Sequence, residues 1–131
     1  MSKVEWTKLL GWTEEQLEDL RYAGFAYIRQ GKYDIALPIF EALIVLNSEN
    51  SYDSQTLGAL YLELGQPAKA AKTLERALKL EGDHAPTLLN FAKALFMLGK
   101  REEGLKLANI LKDEKNMRIS NAAWALVLAY Q

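Results

Sequence analysis

The chain has 131 residues and a net charge of −1; half of its residues are hydrophobic and a quarter are charged. That describes one domain with room for a continuous core, and a charge this balanced gives no reason to expect nucleic acid as a partner. There is no cysteine, which excludes a disulfide framework and thiolate metal sites, and no apolar run approaches the ~18 residues of a membrane span or follows a basic leader, so a cytoplasmic protein is expected.

Taken in chain order, residues 3–10 predict a short helix that Gly11 ends. Thr13 and Gln16 have the spacing of a capping box, with Trp12 and Leu17 placed as its hydrophobic staple, so a longer helix starts near Glu14. From there the chain repeats itself. Gly31, Gly65 and Gly99 stand 34 residues apart, with Gly24, Gly58 and Ala92 before them and Ala36, Ala70 and Gly104 after them. Small residues at this period are the signature of a helix–turn–helix array, the tetratricopeptide repeat, because two helices cross closely only where neither carries a bulky side chain.

Setting Gly31 at position 15 of a 34-residue unit places repeats at 17–50, 51–84 and 85–118. Position 24 then reads Phe40, Leu74, Ala108, and position 27 reads Leu43, Ala77, Leu111. Ser48, Gly82 and Asn116 replace the usual proline at position 32, and Gly82 reads as a helix C-cap. Pro67 and Pro86 suit the first turn of a helix. Pro38 falls about one turn into the second helix of repeat one, where it removes a backbone donor and predicts a frayed or kinked start. The segment Asn121 to Tyr130 is too apolar for a free tail and reads as a capping helix at about 117–130, with Trp124, Leu126 and Val127 partly buried. The expected fold is all-α: a single tetratricopeptide-repeat domain over 1–131 with seven to eight helices.

Little in the chain suits catalysis. His84 is the only histidine and reads as a solvated loop residue beside Asp83; a zinc site needs about three or four convergent ligands. No glycine cluster resembles a phosphate loop, and no base is placed beside a serine. No catalytic residue, metal or cofactor is expected. Lys69, Lys72, Arg76 and Lys79 follow helical spacing and read as the solvated outer face of a second helix, with a weaker case for an acidic partner.

The informative surface is the concave one, lined by the first helix of each pair. Repeat one offers Glu18, Arg21, Phe25, Ile28 and Arg29; repeat two Tyr52, Gln55, Ala59, Leu62 and Glu63; repeat three Pro86, Leu89, Lys93, Phe96 and Met97. The lining is unusually apolar. Phe25, Ile28, Leu62, Leu89, Phe96 and Met97 form either a strip open to a protein client or a face packed on itself or on the C-terminal helix. A carboxylate clamp of the co-chaperone kind is not expected: Phe25 and Thr56 stand at two of its amide positions and Pro86 at a needed lysine, which Arg21 and Asn90 do not make good.

The stretch Gly31-Lys32-Tyr33-Asp34-Ile35-Ala36, followed by Phe40-Glu41-Ala42-Leu43-Ile44-Val45-Leu46, resembles the LcrH/SycD family, and Leu57-Gly58-Ala59 with Leu64-Gly65-Gln66 is similar to its second repeat. The resemblance spans roughly residues 17–112. It implies a type III secretion chaperone that holds an extended segment of a secreted translocator in the concave groove, with Phe25 at one of the family's aromatic positions. Ile28 and Arg21 stand where the family often has tyrosines. An alternative within the same system is a needle-subunit chaperone that clasps an amphipathic client helix; a generic adaptor scaffold is the reading from another class. Finally, Trp6, Leu9, Leu10 and Trp12 gather apolar area ahead of the array. They point either to a segment folded back on the first repeat or to weak homodimerisation.

Overall fold

The computed structural model describes residues 6–131, with side chains from Lys8 onward. Trp6, named for self-association, thus has no described side chain. Eight helices and no strand occur among the described residues: α1 (Trp6–Leu10), α2 (Glu14–Arg29), α3 (Tyr33–Leu46), α4 (Ser51–Glu63), α5 (Pro67–Leu80), α6 (Ala85–Met97), α7 (Arg101–Leu111) and α8 (Met117–Tyr130). None of them is long and apolar enough to cross a membrane. The chain is an all-helical tetratricopeptide array in which α2/α3, α4/α5 and α6/α7 pack as pairs and α8 packs on α6 and α7.

Local chemistry accounts for the helix ends. Thr13 Oγ1 accepts from Gln16 N at 3.2 Å while Thr13 N donates to Gln16 Oε1 at 2.8 Å, a complete capping box, and Trp12 packs on the cluster that contains Leu17. Asn50 and Asn116 cap α4 and α8 with their side chains. The first helix of each pair stops in the same way. Gly31, Gly65 and Gly99 all lie at positive φ, between 71° and 78°. The amide after each glycine reaches back to Tyr27, Tyr61 or Leu95 O at 2.8–2.9 Å. This 6→1 bond turns the chain sharply into the second helix and needs a residue without Cβ at the left-handed position.

Gly82 does not share that role. α5 ends at Leu80 with Glu81 as its cap in extended backbone, and Gly82 is not at positive φ. α3 and α5 end by straightening toward the next repeat rather than by doubling back. Pro38 also departs from expectation. α3 begins a full turn before it, at Tyr33, and continues unbroken through it. The proline is exposed, and the donor it lacks costs the helix one bond.

The other glycines serve close approach. A Cβ on Gly24 would lie 2.5 Å from Phe40 Cε2, and one on Gly58 would lie 2.4 Å from Leu74 Cδ2. The third repeat carries Ala92 at that position and Ala108 opposite it, both fully buried. As the first helix gains a methyl group, the second gives up its bulk. Gly104 receives the ring of Phe96, whose Cε1 would stand 2.7 Å from an added Cβ. The core follows these crossings. One cluster, with Leu17, Phe40, Leu43, Leu57, Leu60 and Leu74, runs from α2 to α6, which it reaches at Ala94; smaller ones, centred on Leu89, Leu111 and Ile119 and on Phe96, Ala108 and Val127, join α6, α7 and α8. Within α8, Val127 is buried, Leu126 partly buried and Trp124 46% exposed.

Candidate functional site

The first helices α2, α4 and α6 hold two adjoining hollows. The first, of about 360 Å³, has an apolar floor of Phe25, Ile28, Tyr33, Ala59 and Leu60 and a polar margin of Gln55, Thr56, Glu63, His84, Thr87 and Asn90, with Pro86 at its edge. The second, of about 390 Å³, is lined by Ala59, Leu62, Glu63, Asn90, Lys93 and Met97. Ala59, Glu63 and Asn90 belong to both, so the hollows form one groove that crosses the array.

The groove is set by what lies beneath it. Phe25 meets Phe40 edge-on with ring centroids 5.2 Å apart, which fixes its ring at the hollow's base. Ala59 keeps the middle of α4 low. His84 is the N-cap residue of α6; its ring is partly buried, and Nδ1 lies 2.7 Å from Thr87 Oγ1. The surface thus joins apolar depth to amide, hydroxyl and imidazole groups at its rim, the make-up of a site that binds a peptide-like ligand. No group of three or more His, Asp or Glu among the described residues is placed to hold a metal ion.

Of the expected groove residues, Phe25, Ile28, Gln55, Ala59, Leu62, Glu63, Pro86, Lys93 and Met97 line it. Six do not. Glu18 and Arg29 are exposed outside both hollows. Tyr52 is exposed outside both hollows. Arg21 is turned into the α2–α4 junction, where Asp53 takes both its Nε and Nη2 and Glu18 takes Nη1; these partners hold it charged and push its pKa up. Leu89 lies under α8 with Ile119 and Ala123. Phe96 stacks on Tyr130 with centroids 4.1 Å apart. For these two, packing on the C-terminal helix prevails over an open groove.

Tyr33, Thr56, Leu60, His84, Thr87 and Asn90 were not among the expected lining. Thr56 and Asn90 share one repeat position, and that register is the signal that would have found them. At the N-terminus Leu9 and Leu10 are exposed while Trp12 is partly buried against the first core cluster. The basic run lies on the convex side. Lys69 sits over the Tyr61 ring at 5.8 Å, Arg76 Nη2 donates to Ser48 O at 3.2 Å and Lys79 pairs with Glu75 at 3.9 Å.

The model of the family described as anaphase-promoting complex, cyclosome, subunit 3 matches residues 29–109. Among curated proteins the chain is 23% identical over 91 residues, 70% of its length, to DnaJ homolog subfamily C member 3 of Gallus gallus, of which it spans only 18%. Among solved structures it is similar to a type III secretion complex from Aeromonas hydrophila, at TM-score 0.82 and 22% identity over 98% of this chain and 89% of that one. It is similar also to PcrH in complex with the chaperone-binding region of PopD, at 0.79 and 23% over 92% and 94%. The third is the Yersinia enterocolitica chaperone SycD in complex with a peptide of the translocator YopD, at 0.74 and 26% over 91% and 98%.

Proposed function

The chain belongs to the family described as anaphase-promoting complex, cyclosome, subunit 3, a family of tetratricopeptide arrays, and from that premise we propose that it is a non-catalytic chaperone of the LcrH/SycD kind. It holds an apolar segment of a secreted translocator in the groove between α2, α4 and α6, in the bacterial cytoplasm, before secretion. The observation that carries this reading is the groove itself. Its apolar floor is open to solvent, its rim is polar, and it crosses three repeats. SycD, 26% identical, holds a peptide of such a translocator, and this chain pairs with it over 91% of its length.

Phe25, Ile28, Ala59, Leu62 and Met97 supply apolar contacts, and Gln55, Thr56 and Asn90 meet the client's backbone. An extended segment suits two hollows in a row, because alternate side chains of a strand point the same way. The test is co-purification from the native cell, with mass spectrometry of what stays bound, for the native chain and for Ile28→Glu. Loss of one predominant translocator from a variant with unchanged circular dichroism supports the reading. A variant that keeps its fold and its client overturns it.

A further inference from the structure

The margin of the first hollow has more acceptors to offer than donors. The Thr56 hydroxyl is spent on Tyr52 O at 2.9 Å, and the Gln55 amide donates to Glu81 Oε2 at 3.4 Å. Glu63 can only accept when ionised. Asn90 and His84 are left to donate from the margin, and the two differ. The Asn90 amide has no partner among the described residues, so it can turn either end to a ligand. The His84 ring is held, and what holds it decides which nitrogen carries the proton.

Thr87 is 2% exposed. Its Oγ1 lies 2.7 Å from His84 Nδ1 and makes no other hydrogen bond among the described residues. A buried hydroxyl whose proton finds no acceptor is costly, and Nδ1 is the acceptor within reach. The Thr87 hydroxyl therefore donates to Nδ1, which leaves Nδ1 bare and puts the ring proton on Nε2. Nε2 has no partner among the described residues and is not sealed from solvent. The partly buried ring lines the hollow. His84 thus brings to the groove a single N–H, backed by a buried residue three positions along the same helix.

We propose that Thr87 fixes His84 as the Nε2–H tautomer, and that this N–H donates to a main-chain carbonyl of the client segment in the first hollow. A segment seated on an apolar floor loses water from its carbonyls, and each carbonyl left without a donor weakens binding. A carbonyl fixed at this point also sets which side chain of the segment lies over Phe25 and Ile28. His84 is then a specificity-determining residue that sets the client's register, and Thr87 is its positioning residue. The inference rests on the client reading and deepens it.

The first test needs no client. His84 is the only histidine, so ¹⁵N resonances of histidine-labelled full chain report this ring alone. At about pH 8, where an ordinary imidazole is neutral, Nε2 should be protonated and Nδ1 bare. A proton on Nδ1 overturns the proposal. The second test measures affinity by fluorescence anisotropy. Its probe is a synthetic peptide of the translocator segment that the native chain protects from protease in the co-purified complex. His84→Phe is made together with Thr87→Val, so that no hydroxyl is orphaned, and should bind about three- to tenfold more weakly, the loss of one neutral hydrogen bond. His84→Gln keeps an amide oxygen for Thr87 and an N–H for the client, and should recover most of that loss. Circular dichroism should be unchanged in both. Native affinity in His84→Phe with Thr87→Val, beside lost binding in Ile28→Glu, overturns the donor and leaves the groove reading standing. A His84→Gln chain no better than the double variant assigns the effect to the shape of the ring and also overturns the donor. Native affinity in Ile28→Glu overturns the groove reading, and the donor with it.

Discussion

Arg21 and Asp53 join the first two repeats through a fork of two hydrogen bonds, Nε to Oδ1 at 2.6 Å and Nη2 to Oδ2 at 2.7 Å, with Asp53 wholly buried. A planar guanidinium matches a carboxylate in this way and lysine does not. The pair ties α2 to α4, two of the helices that hold the groove. Replacing Arg21 by Leu leaves a buried carboxylate unpaired and should cost about 3–5 kcal/mol. Urea denaturation reads this as a lower midpoint with an unchanged slope. Arg21→Leu with Asp53→Leu should regain most of the loss; if the double variant is no better than the single one, the pair is not what holds the junction.

The approach of α4 to α5 sets a second expectation. A methyl group on Gly58 meets Leu74 at 2.4 Å, so Gly58→Ala should destabilise by about 1–3 kcal/mol through overpacking. Adding Leu74→Ala should relieve part of that, because the third repeat already pairs Ala92 with Ala108 at the same crossing. Thermal melts of the three variants check the order: native, then the double variant, then Gly58→Ala alone or close to it. A Gly58→Ala chain as stable as the native one would show that the helices have room to part.

Met97 and Phe96 are neighbours with opposite expected behaviour. Met97 is 48% exposed in the groove and Phe96 is 6% exposed under α8. Met97→Glu should leave the melting temperature within a few degrees, as surface substitutions do within about 0.5 kcal/mol, and lower client retention. Phe96→Glu should unfold the C-terminal third. A Phe96→Glu chain that melts normally would mean that α8 does not cover this ring in solution.

Tyr61 sets a limit at alkaline pH. Burial, aided by its hydrogen bond to Glu41 Oε2 at 2.6 Å, pushes the phenol from 10.0 up to about 12. The folded state holds this proton more tightly than the unfolded one, so the stabilisation is complete below pH 10 and is lost as pH rises toward about 12. Tyr61→Phe should lower stability at neutral pH and flatten its fall over that window, read as melting temperature against pH. An equally steep fall in the variant would assign the alkaline loss to other groups.

The sequence by itself determined the architecture, because its signals are local or periodic. The capping box at Thr13, the left-handed glycines at Gly31, Gly65 and Gly99 and the small residues at each helix crossing act within one turn or one pair, and repetition at 34 residues multiplies each of them. Where a rule was applied out of context it failed: Gly82 follows a helix without capping it, and Pro38 sits in one without breaking it. The openness of the groove was decided only by the tertiary structure. Arg21, Gln55 and Leu89 share one repeat position, and Ile28, Leu62 and Phe96 share another. Yet Gln55, Ile28 and Leu62 line the groove, Arg21 is drawn into an ion pair and α8 covers Leu89 and Phe96. Equal positions met unequal neighbours. Exposure depends on the element stacked next in space, and a period read along the chain carries no record of where the last helix comes to rest.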